Sequence, residues 1–104
     1  MERDHTLERE LLEQVNAPEG FAEEVLARLD HTEAKYGNSG WEKLVDVLLQ
    51  EMQEEAADIA GWGVGAAYKL DETQRQRLLV AIRLGAAAWG ELQELREQLA
   101  TAVP

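Results

Sequence analysis

Cysteine is absent from this sequence of 104 residues, which excludes disulfides, thiolate nucleophiles and cysteine-ligated zinc. Proline occurs twice and β-branched residues are few, so long stretches carry nothing that interrupts a helix. No apolar run approaches the roughly 18 to 20 residues that span a bilayer. The first residues, MERDHTLERELLEQ, mix acids and bases where a secretory leader has a basic start and an apolar centre. A cytoplasmic location and no membrane partner are therefore the default expectations. Bases are also scarce, with 10 Lys+Arg against 21 Asp+Glu and a formal charge of −11. Such a chain lacks the cations that displace counterions from a phosphate backbone, which argues against nucleic acid as a partner.

The hydrophobic share of 45% beside 30% charged residues is that of a folded chain. Its length suits one all-α domain over residues 1–104, small enough that association with further copies would help bury apolar surface. A short amphipathic helix is expected from about Thr6 to Val15, ended by Asn16-Ala17-Pro18. A second begins between Pro18 and Phe21 and runs to Tyr36, with Phe21, Val25, Leu29 and Tyr36 on its core face. Gly37-Asn38-Ser39-Gly40 then supplies a turn.

The longest uninterrupted helical pattern runs from Trp41 to Leu70. Ser39 and Glu42 have the S-x-x-E spacing of a capping box before it. At about 100° per residue, Trp41, Val45, Leu48, Met52, Ile59, Trp62 and Ala66 share one stripe, which predicts a helix buried along that side. Gly61, Gly63 and Gly65 each cost up to about 1 kcal/mol relative to alanine in a helix interior, which predicts close approach by another helix. Asp71, with Gln74 three residues on, is placed to cap a final helix whose stripe is Leu78, Ile82, Gly85, Trp89, Leu92 and Leu99. Its small residues, Gly85 to Ala88, match those of the preceding helix, so the two are predicted to form an antiparallel hairpin about Leu70-Asp71. The tail from Thr101 to Pro104 is expected to fray. The three tryptophans lie on predicted core stripes, and His5 and His31 read as surface residues.

Glu55 falls on the apolar stripe, with Glu51 and Asp58 four residues before and three after it. A carboxylate among core positions is costly unless paired, protonated or bound to a metal. Carboxylates at this spacing on one helix can share Mg²⁺, which prefers oxygen ligands. Glu51, Glu55 and Asp58 are therefore the candidate metal ligands, and Glu55 is expected at an inter-helix cleft. Lys69 and Arg75, with Arg77, cluster near the last turn, where they are candidates for binding a triphosphate.

At these residues the chain resembles the MazG-like, all-α nucleoside triphosphate pyrophosphohydrolases. Glu55-Ala56-Ala57-Asp58, followed by Ile59, looks like the ExxD motif of that family. The resemblance spans about Phe21 to Tyr68. It implies a helical bundle completed by dimer or tetramer formation, Mg²⁺ as cofactor, and hydrolysis of a nucleoside triphosphate to the monophosphate and pyrophosphate. Glu55 and Asp58 carry over as metal ligands, with Glu51 supporting. The chain departs from the family's EExxE motif, because Glu23-Glu24-Val25-Leu26-Ala27 has alanine at the third acidic position. No catalytic residue is assigned. The alternative reading is a non-enzymatic, acidic helical interaction module, virus-encoded or otherwise, that binds a basic protein partner.

Overall fold

Helix α1 (His5–Val15) starts where the Asp4 carboxylate accepts a hydrogen bond of 3.0 Å from the Leu7 N–H. This satisfies one of the amides that a helix start leaves free. It ends at Asn16, whose left-handed backbone, with φ at 54°, turns the chain out of the helix. Helix α2 (Phe21–Tyr36) follows Gly20 and stops at Gly37, both at positive φ. Helix α3 (Val45–Ala67) and helix α4 (Glu72–Ala102) complete the elements. The computed structural model describes residues 2–37 and 42–102, and these contain four helices and no strand. The all-α expectation is met.

The chain divides into two compact units, Met1–Lys43 and Leu44–Pro104. In the first, α1 packs on α2, and Arg3 ties the pair together. Its guanidinium donates to both carboxylate oxygens of Glu8, at 2.9 and 2.7 Å, and to Asp30 at 2.6 Å. Only 5% of the Arg3 side chain is exposed. A planar guanidinium forks onto a carboxylate more specifically than an ammonium could. Its charge holds the Glu8 carboxyl below the usual carboxylate range, and the two carboxylates raise Arg3 in turn.

The second unit is the antiparallel hairpin of α3 and α4. Asp71 and Gln74 form the reciprocal cap expected at its turn: the Gln74 N–H donates to Asp71 Oδ1 at 2.8 Å and the Asp71 N–H to Gln74 Oε1 at 3.0 Å. Its open end differs from the sequence reading. Helix α3 begins at Val45, so Glu42 lies outside it, and Leu44 at the cap position offers no side-chain hydrogen bond. Ser39 and Trp41 lie outside the described residues. The fraying expected from Thr101 is corrected for Thr101 and Ala102, which remain helical.

The larger correction concerns which side of α3 meets α4. Gln53, Ala56 and Gly63 are buried, and Leu49, Ala60 and Ala67 are half-buried. This row lies about 90° around the helix from the predicted stripe, at about 100° per residue. Val45, Met52 and Ile59 of that stripe are exposed, and Trp62 is 81% exposed. Close approach explains the choice. A Cβ on Gly85 would stand 3.0 Å from the Ala56 carbonyl oxygen, and one on Gly63 would stand 2.7 Å from Ile82 Cγ1. Helices packed this tightly require their smallest side chains at the crossing. The predicted α4 stripe fares better: Gly85 and Leu92 are buried and Leu78 and Ile82 half-buried, although Trp89 remains 45% exposed. Gly61 and Gly65 face open space, so only Gly63 of the three α3 glycines serves the contact.

Candidate functional site

Glu51, Glu55 and Asp58 all stand on α3 and all are exposed. Their spacing sets them along one flank of the helix, as read from the sequence. Glu55 shares the apolar face that α4 leaves uncovered, so within one chain it does not face the inter-helix cleft expected for it. The reason is the same 90° rotation: α4 packs on the small residues and leaves the stripe containing Glu55 free. Among the described residues, no three His, Cys, Asp or Glu side chains stand close enough to enclose an ion.

The two candidate triphosphate-binding residues lie at the other end of the hairpin. Arg75 donates from Nε to the Ala67 carbonyl at 2.8 Å, which satisfies an acceptor left free at the end of α3. Arg75 also lines a shallow surface depression with Tyr68, which is 83% exposed, and Val64. Lys69 is exposed in the turn. About 14 Å of helix separates Asp58 from Ala67, at about 1.5 Å per residue. The chain thus does not bring the acids and these two bases to one point. His5 and His31 are exposed, as expected, and His5 Nδ1 lies 3.3 Å from Glu8.

The polar cluster that the fold does assemble joins Asp46, Gln53, Gln93 and Arg96. The buried Gln53 amide donates to the Trp89 carbonyl and to Gln93 Oε1, both at 3.1 Å. Its oxygen accepts from Arg96 Nη1 at 2.6 Å. Arg96 also forks onto Asp46 at 2.8 and 3.1 Å. The cation holds the Asp46 carboxyl below its usual range, and Asp46 raises Arg96. Every polar atom of the Gln53 side chain is engaged, which makes the cluster a structural clasp between helices. Sequence reading missed it. The available signal was the polar Gln53 within the small-residue row of Ala56, Ala60 and Gly63.

The hairpin therefore has two unlike broad faces. Cross-contacts fix which is which, since Gln53 and Asp46 meet Gln93 and Arg96 on one side, while Ile59 meets the Gly85 backbone on the other. On that second side, helical phase aligns Leu48, Met52, Ile59 and Trp62 of α3 with Leu84, Leu95 and Leu99 of α4. No described helix is long and apolar enough to cross a membrane. No family model matches the chain, and no curated protein or solved structure matches it.

Proposed function

We propose that the chain is a Mg²⁺-dependent nucleotide pyrophosphohydrolase of the MazG-like type, acting on a nucleoside triphosphate as a homodimer or higher oligomer. One observation carries the reading: Glu51, Glu55 and Asp58 border an uncovered apolar face of α3, so association through that face would bring a second chain's side chains toward them. The E-x-x-D spacing of Glu55 and Asp58 supports the same reaction class. The bound ion would supply charge stabilisation to the phosphates. Pyrophosphate release from a panel of nucleoside triphosphates, with and without Mg²⁺, tests it. Metal-dependent turnover lost in Glu55→Gln is expected. Absence of turnover on every triphosphate would reject the enzyme.

A second reading is favoured by the exposure of Trp62, Met52 and Ile59 together with the dense acidic charge of α3. Here the hairpin is a non-enzymatic acidic module that binds a basic protein partner. It predicts no turnover, with salt-sensitive binding to polycationic peptides.

A further inference from the structure

The side of the hairpin that carries Ile59 is built as a furrow. At about 100° per residue, Ala81 and Ala88 fall between the buried Gly85 and Leu92 of α4 and its exposed Leu84 and Leu95. Across from them on α3 stand Met52, Ile59 and Trp62, all exposed. Two rows of large apolar side chains thus flank a strip of alanines. From Met52 to Trp62 the α3 row runs about 15 Å, and from Leu84 to Leu95 the α4 row runs about 16 Å, at about 1.5 Å per residue. That length matches about three turns of a helix.

The charge along the middle of the furrow has one sign. The same helical phase sets Glu51, Glu55 and Asp58 on the outer flank of the α3 row and Glu91 on that of the α4 row. Helix α3 contains five acids and no Lys or Arg. Glu55, Asp58 and Glu91 are exposed and make no ion pair among the described residues. Arg96 is turned to the opposite side, where Asp46 and Gln53 hold it. The base on the α4 flank, Arg77, stands toward the turn, about 21 Å along the helix from Glu91. Asp58 and Glu55 lie four and seven residues before Trp62, so the exposed indole shares their flank.

We infer that this furrow binds a basic amphipathic helix of another protein, its apolar residues between the two rows and its arginines or lysines against Glu55, Asp58 and Glu91. The inference rests on the second reading above, the hairpin as an acidic binding module, and names the face and the partner. Shape and charge select the occupant. An extended peptide would lay its backbone N–H and C=O groups on helices whose own are already bonded, whereas a helix arrives with its backbone satisfied. A second copy would return the same acids to the middle of the furrow, where like charges oppose each other. A membrane of anionic lipid is repelled by the same charge. A cation on the partner instead meets carboxylates and the face of an indole together, and indole attracts cations best among the aromatic rings. The partner therefore needs apolar residues at i, i+3 or i+4, and i+7, with bases on both sides of that stripe.

The test uses the full chain without nucleotide or Mg²⁺, at about 0.15 M salt, where exposed charges are screened beyond about 8 Å. Two fluorophore-labelled peptides of arginine and leucine share one composition: in the first the leucines have helical spacing, and in the second they are scrambled so that no apolar stripe forms. Anisotropy should show one-to-one binding of the first, about tenfold tighter than of the second. Trp62→Ala and Glu55→Lys should each weaken it by about tenfold, the scale of a lost anchor or a charge pair replaced by repulsion. Glu97→Lys makes the same change of charge on the side of the clasp and should alter binding by less than about twofold. All three positions are exposed, and circular dichroism should show unchanged helix content. Equal binding of the two peptides, or equal loss from Glu55→Lys and Glu97→Lys, would overturn the inference and leave the second reading standing. Binding of neither peptide would overturn both. Self-association through this face that the first peptide does not displace, seen by light scattering, would give the furrow to a second copy and overturn the inference.

Discussion

Arg96 on α4 holds Asp46 on α3 by two hydrogen bonds of 2.8 and 3.1 Å while its remaining terminal nitrogen donates to Gln53 at 2.6 Å. One guanidinium thus links an exposed carboxylate to a buried amide, and the hairpin's register passes through it. Gln53→Ala should destabilise the hairpin by about 1 to 3 kcal/mol, since the Trp89 carbonyl loses its side-chain donor and Gln93 and Arg96 lose their partner. Gln53→Leu should cost less, because it restores packing without restoring the bonds. Urea unfolding followed by helix content measures both.

The glycines separate by what surrounds them. Gly61→Ala, Gly65→Ala and Gly90→Ala each place a methyl in open space and should stabilise by up to about 1 kcal/mol. Gly85→Ala should instead destabilise by about 1 to 3 kcal/mol, because its Cβ would press on the Ala56 carbonyl and on Ile59 Cβ at 3.2 Å, neither of which can swing aside. Thermal melts of the four variants should show opposite signs.

Acid should loosen both units for the same reason. Arg3 depresses the Glu8 carboxyl and Arg96 depresses that of Asp46. A carboxyl with a lowered folded pKa favours the fold in its ionised form, so its contribution is complete above the unfolded value of about 4. It is lost as pH falls through the lower folded value. Melting temperature should therefore be flat from about pH 7 to pH 5 and fall below about pH 4. Glu8→Gln and Asp46→Asn should each lower stability at neutral pH and flatten that acid limb. An unchanged limb in both variants would show that other carboxyls control it.

Glu55 distinguishes the two functional readings without an activity assay. If the proposed Mg²⁺ site exists, millimolar Mg²⁺ should raise the wild-type melting temperature and leave Glu55→Gln unmoved. The substitution should also stabilise the metal-free protein, because it relieves repulsion from Glu51 and Asp58 on the same flank. Equal response of both proteins to Mg²⁺ would remove Glu55 from the ligand set.

The sequence by itself determined that four helices form and where several of them stop, though not where α3 begins. Asp71 with Gln74, Asn16 and Gly37 mark boundaries through local hydrogen bonds and backbone freedom, which need no tertiary partner. The antiparallel pairing of the last two helices was also legible, because small residues recur in both and only a short turn separates them. The packed side of α3 was not legible. Its apolar residues, from Val45 through Leu48, Leu49, Met52, Ala56, Ile59, Ala60, Trp62 and Gly63, cover nearly half the circumference, so periodicity allows two faces a single residue step apart. The larger side chains drew the sequence reading to one stripe. Tertiary structure chose the other, since the Gly85 and Ala56 backbones can approach only where side chains are smallest. That choice put Gln53 in the contact, turned Trp62 outward, and left Glu55 on a face that one chain does not cover.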